Sequence, residues 1–151
     1  DRLRSRGLGD VYKRQILAME IENQSVDYRP LILVAEDDDS NFKLIKAIIG
    51  KKCEVQWARN GEEIVSLFLE NRDKADAILM DIKMPVMNGL DATQRIRREG
   101  GTLPIIMQTA YAFSSDRENA MNAGASEVLV KPITLSTLRN CLSSYLPQLV
   151  W

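Results

Sequence analysis

Histidine is missing from all 151 residues of this chain. Without an imidazole the chain holds no Ser-His or Cys-His catalytic unit and carries no phosphohistidine of its own. Cysteine is nearly as scarce. Cys53 and Cys141 lie far apart with no metal-site spacing, and read as packed free thiols of a reducing compartment. No stretch approaches the ~18 apolar residues that a membrane-spanning helix needs. Neither G-x-G-x-x-G nor G-x-x-x-x-G-K-[ST] occurs, so a dinucleotide or P-loop nucleotide site has no support. Charge is balanced at 20 basic against 21 acidic residues, which gives nucleic acid no global attraction. What remains is 45% hydrophobic and 27% charged, ordinary for one globular domain with a core.

The first residues differ from the rest. Asp1 to Gln15 holds five basic and two acidic residues, has no initiating methionine and lacks the apolar centre of a signal peptide. It reads as a non-native leader, the kind of translated adapter left at the end of an assembled reading frame. Residues 16–29 read as a polar linker, partly helical early on. The folded domain is expected over 30–148.

Within it, five short apolar runs alternate with five helical patterns. Leu31 to Ala35 is a continuous apolar strand, followed by Glu36-Asp37-Asp38-Asp39. A helix capped by Ser40 or Asn41 then runs to about Gly50, with Leu44, Ile45, Ile48 and Ile49 as its core stripe. Glu54 to Ala58 is a short strand, Asn60-Gly61 a turn, and Glu62 to about Asn71 a helix. Residues 77–81 form the third strand. Asn88-Gly89 leads into a helix ending at Arg98, and Gly89 is assigned to backbone freedom. Residues 104–108 form the fourth strand. Ser114 or Ser115 caps a helix through Ala123, which Gly124 stops. Val128 to Val130 is the fifth strand, and a last helix opens at Thr134 or Leu135. Fully apolar strands alternating with helices imply a doubly wound α/β fold, a five-stranded parallel sheet with helices on both faces.

In such folds, sites form beyond the carboxyl ends of the strands. Here those ends carry Glu36-Asp37, Asp81, Thr109 and Lys131. Crowded carboxylates resist ionising together, and a divalent cation relieves them. Magnesium suits the set because it uses few carboxylates, keeps waters and accepts a phosphate oxygen. Lys131 and the Thr109 hydroxyl can hold phosphoryl oxygens. The ensemble is a phosphoryl-transfer toolkit. An aspartate-nucleophile hydrolase would carry D-x-D, and Asp81-Ile82-Lys83 does not.

These motifs (E-D after strand 1, D-x-x-M-P-x-M-N-G after strand 3, T-A after strand 4, K-P after strand 5) resemble a response-regulator receiver domain, flavodoxin-like in fold. The wording Met84-Pro85-Val86-Met87-Asn88-Gly89 is most similar to C-terminal receivers of hybrid sensor histidine kinases. The resemblance implies Asp81 as phosphoacceptor, with Thr109 as switch hydroxyl and Lys131 as phosphate-binding lysine. Asp37 would ligate magnesium directly, Glu36 through a water, and the Lys83 backbone carbonyl would complete the site. A cis Lys131-Pro132 peptide is also implied. The donor would be a histidine kinase dimerisation domain or a histidine phosphotransfer protein, with neither nucleic acid nor membrane contacted directly. A homodimer through the helix 4–strand 5–helix 5 face and a cytoplasmic location, tethered to a membrane sensor in the parent, are further expectations. The domain would be a signalling acceptor rather than a turnover enzyme.

Val128 departs from the pattern, since many receivers have a rotating Tyr or Phe three residues before the lysine. Tyr111 is either its substitute or a solvent-edge residue. Phe42 is either a donor-docking residue or part of the core edge. Two rival readings stay open: a non-phosphorylated pseudo-receiver interaction module, and the C-terminal fragment of a hybrid histidine kinase.

Overall fold

The computed structural model describes residues 11–17, 28–111 and 113–151. Residues 11–17 form a short exposed helical segment, so the end of the expected leader is helical where no period had suggested it. The rest of the leader and most of the linker lie outside the described residues.

The order of elements is β1 (Leu31–Ala35), α1 (Asp39–Ile49), β2 (Glu54–Ala58), α2 (Gly61–Glu70), β3 (Ala75–Asp81), α3 (Gly89–Arg98), β4 (Ile105–Thr109), α4 (Ser114–Ala123), β5 (Glu127–Val130) and α5 (Leu135–Tyr145). All strand pairs are parallel, in the order β2-β1-β3-β4-β5. Side chains of a strand alternate between faces. Leu31, Leu33, Ile78, Met80, Ile105 and Met107 pack with Ile64 and Phe68 of α2 and Ile96 of α3. Ile32, Val34, Leu79 and Ile106 pack on the other face with Ile45 and Ile49 of α1 and Leu138 and Leu142 of α5. The sheet is thus covered on both faces, which is why central β1 is wholly apolar and buried, while edge strand β2 carries an exposed Glu54.

Several local expectations change. Asp38 is the N-cap of α1, its carboxylate accepting from the Asn41 N–H. An aspartate can cap as well as a serine, and its negative charge favours the helix N-terminus. Leu44 is 47% exposed and Phe42 takes the inward place at 8%. Asn60 caps α2 rather than forming a free turn. Phe113 stands at the N-cap of α4 with no side-chain bond. Gly124 has φ 112° and closes α4 as expected.

The domain's edges are also anchored. Arg29 donates to the carbonyls of Gly50, Lys51 and Cys53 beyond α1. At the other end Leu149 is buried. The Trp151 indole donates to Ser143 Oγ at 2.9 Å beneath the Arg139 guanidinium, so it packs on α5 instead of trailing as a tail.

Candidate functional site

Parallel strands bring their carboxyl ends to one edge. β1 ends beside Glu36, β3 in Asp81, β4 in Thr109, and Lys131 follows β5. Glu36 is wholly buried, while Asp81 and Thr109 are each 5% exposed. Asp37 is exposed at the rim. The Lys131 ammonium lies 3.1 Å from Asp81 Oδ2 and 3.6 Å from Glu36 Oε2. Glu36, Asp37 and Asp81 each present an oxygen within 4.8 Å of the others.

Glu36 has more carboxylate than its surroundings satisfy. Oε1 accepts from the Asp38 N–H. Oε2 is buried with no hydrogen-bond partner, since the ammonium is too distant for a bond. Burial first, and then the Asp81 charge, push its pKa up to about 7, against the pull of Lys131 and the Asp38 N–H. A buried, unpartnered carboxylate oxygen beside two further carboxylates fits a divalent cation, and hard oxygen donors of this number suit magnesium.

Thr109 lines a cavity of about 170 Å³ with Asp81, Lys83, Tyr111, Asp116 and Lys131. Its Oγ1 accepts from the Tyr111 N–H, which leaves its own O–H to donate. Its carbonyl accepts from the Lys131 N–H, tying the ends of β4 and β5 together. Lys83 lines a second cleft beside Asp37, Pro85 and Asn88. The Lys83 ammonium lies 3.3 Å from the Tyr111 hydroxyl and over its ring at 4.7 Å. The Lys131-Pro132 peptide is cis.

A family profile described as "Response regulator receiver domain" matches residues 32–143. The chain belongs to the response-regulator receiver family. Among relatives, this receiver is 37% identical over 121 residues to hybrid signal transduction histidine kinase I of Dictyostelium discoideum, covering 75% of the chain and 7% of that protein. The chain therefore spans under a tenth of that relative's length. The receiver domain of sensor histidine kinase PA1611 from Pseudomonas aeruginosa, solved with magnesium coordinated in its active-site cleft, is 33% identical. It has a TM-score of 0.72, with 80% of this chain and 99% of that one covered. The co-crystal structure of the Saccharomyces cerevisiae histidine phosphotransfer protein Ypd1 with the receiver domain of Ssk1 matches at TM-score 0.71 and 25% identity. There 78% of this chain and 88% of that one are covered. The receiver is a domain of two-component signalling.

The fold brings Glu36, Asp37, Asp81 and Lys131 together, with Thr109 in the same cavity. Val128 does not join them, being 3% exposed inside the core. Tyr111 stays at the solvent edge, 46% exposed and held by Lys83.

The motif residues Asn88 and Gly89 have structural duties that the motif does not state, and Trp57 joins the site from outside it. Asn88 caps α3 through the Asp91 N–H. Gly89 donates to the Ile82 carbonyl, and a Cβ there would run into the Asp81 carbonyl oxygen. Its need is therefore room rather than backbone freedom. The positive φ of this loop falls instead on Val86, at 70°. Trp57 donates its indole N–H to the Glu36 carbonyl at 2.8 Å. Nothing in the sequence tied Trp57 to Glu36, which is 21 residues away.

Proposed function

We propose that this receiver takes a phosphoryl group from a phosphohistidine onto Asp81 and uses the modified state to switch a partner interaction. The observation that carries the reading is the Lys131 ammonium, 3.1 Å from Asp81 and 3.6 Å from Glu36, at the edge where three carboxylates converge. An Asp81 oxygen attacks phosphorus in line with the donor imidazole. The O–P bond forms as the N–P bond breaks, and the imidazole leaves with the bonding pair and takes up a proton. Lys131 pairs with the phosphoryl oxygens, and the Thr109 hydroxyl donates to another. Glu36, Asp37, Asp81 and the Lys83 carbonyl would hold magnesium. When bound, the ion neutralises the crowded carboxylates and the charge of the transferring group.

The acyl phosphate carries a charge of about −2 beside Thr109 and Lys131, where the free carboxylate carried −1. Drawing them toward it moves the ends of β4 and β5, which the Lys131 N–H to Thr109 carbonyl bond already couples. The α4–β5–α5 face is the element set so biased, and its exposed Met121, Val130 and Leu135 suit a switched contact, a second copy included. The donor is a histidine kinase dimerisation domain or a histidine phosphotransfer protein, as in the Ypd1 complex. The domain acts as a phosphorylated signalling module rather than a turnover enzyme. No helix among the described residues is long and apolar enough to cross a membrane. Buried free thiols fit work in the cytoplasm, as part of a longer hybrid kinase.

Intact mass after incubation with magnesium and a small acyl phosphate tests this. One added phosphoryl group in the native protein, absent without magnesium and absent in Asp81→Asn, is the expected result. Magnesium binding without modification by this donor or by a phosphohistidine protein would leave a pseudo-receiver instead.

A further inference from the structure

The ladder between β1 and β2 ends at Ala35 and Ala58, one residue short of the first site carboxylate. Glu36 is nonetheless fixed on both sides of its backbone. Its N–H donates to the Ala58 carbonyl at 3.0 Å. Its carbonyl accepts from the Trp57 indole at 2.8 Å, a side chain standing in for the next rung of the sheet.

The indole itself is held. One face stacks on Phe42 of α1, ring centroids 4.0 Å apart and 2° from parallel. The Arg59 guanidinium covers the ring at 4.0 Å and is tied to Asp39 in the first turn of α1 at 2.8 Å. Phe42, Trp57 and Arg59 form a three-layer stack that locks the angle at which the N–H meets Glu36. Asp37 sits between two anchored neighbours. Glu36 is held by Ala58 and Trp57, and Asp38 is held as the cap of α1. Asp37 is exposed, so its carboxylate is placed by the backbone that these neighbours fix.

We infer that Trp57 is a positioning residue of the metal site. Its indole N–H fixes the β1–α1 junction so that the Glu36 and Asp37 carboxylates converge on Asp81 before any cation arrives. Groups that orient ligands from outside typically shift metal affinity by about 10- to 100-fold. The inference rests on the reading of this acidic cluster as a magnesium site.

Trp57→Phe removes the hydrogen bond while keeping an aromatic ring between Phe42 and Arg59, though a smaller one than the indole. Magnesium affinity is measured by calorimetry on the full chain, with thermal unfolding in EDTA measured alongside. The expected result is about tenfold weaker binding in a protein whose metal-free form melts somewhat lower but stays folded at the assay temperature. Trp151→Phe provides an independent spectroscopic reading, since Trp57 is then the only indole. Its emission is expected to change as magnesium saturates the site.

Equal affinity in Trp57→Phe and native protein would overturn the inference, as would Trp57 emission indifferent to bound magnesium. Should Trp57→Phe fail to fold, the emission measurement decides alone. Native protein that binds no magnesium would overturn the metal-site reading, and this inference with it. Binding that survives Trp57→Phe unchanged leaves that reading intact.

Discussion

The reactivity proposed for Asp81 rests on what surrounds it. A strand-end aspartate with one lysine is common. Here the lysine also faces a buried glutamate whose pKa is pushed up to about 7, so two carboxylates compete for one ammonium. Gly89 shows how little room the site leaves, with the Asp81 carbonyl oxygen where its Cβ would be. Gly89→Ala is expected to cost about 2 kcal/mol of stability, the usual penalty of overpacking, and to displace the Asp81 backbone. Urea unfolding checks the first effect, and the rate of magnesium-dependent mass gain, which should fall, checks the second. A loss of stability with unchanged phosphorylation would mean that the strand end yields without moving the carboxylate. Gly89 was legible as special in the sequence, but for a different reason. Backbone freedom and lack of space both select glycine, and only coordinates separate them.

At the scale of elements, α1 divides its duties by face. Phe42, Ile45, Ile48 and Ile49 are buried, while Leu44 is exposed beside a groove lined by Asn41, Ile45, Pro132 and Ile133. The apolar pattern located the helix but misassigned its inward edge by part of a turn. Phe42 faces inward, stacked on the Trp57 ring, and Leu44 faces out. Phe42 is thus part of the core edge, and Leu44 is the exposed apolar residue of α1 at which docking can be tested. Leu44→Asp is expected to slow transfer from a phosphohistidine protein by at least about tenfold, roughly the effect of losing 1.4 kcal/mol at an interface. It should leave modification by a small acyl phosphate unchanged. Parallel phosphotransfer time courses with the two donors read this directly, and equal slowing with both would exclude a docking role. Phe42→Ala, in contrast, should slow both donors, since it undermines the stack beside the acidic cluster.

At the scale of the molecule, one face of the sheet holds both cysteines. Cys53 is 1% and Cys141 9% exposed, within the layer between the sheet, α1 and α5. Burial is the main cause that pushes both thiols up to about 11. The neutral thiol is the form the fold favours. Its contribution to stability is complete below the unfolded value of about 8.5 and is lost as pH rises toward 11. Thiolate is also the reactive species. A disulfide reagent at pH 8 should therefore label the folded protein slowly and both thiols promptly in denaturant. Labelling should quicken and chemical stability should fall between about pH 9 and 11. Fast labelling of the folded protein at pH 8 would show that this layer opens locally.

The sequence alone determined the class of fold and the edge where chemistry gathers. Five short, largely apolar runs alternating with helical periods leave few alternatives to a covered parallel sheet. Parallel strands put Glu36, Asp37, Asp81, Thr109 and Lys131 at the same end whatever the packing details. Those residues were legible because each follows directly from its own strand. The tertiary structure alone decided what depends on contacts between distant segments. Among these are the Trp57 indole on Glu36, the Gly89 approach to Asp81, the outward turn of Leu44 and the docking of Trp151 on α5. Local periodicity reports which face of an element is apolar. It carries no information on which side chain from elsewhere arrives to meet that face, and the positions of the site's supporting residues are set by those arrivals.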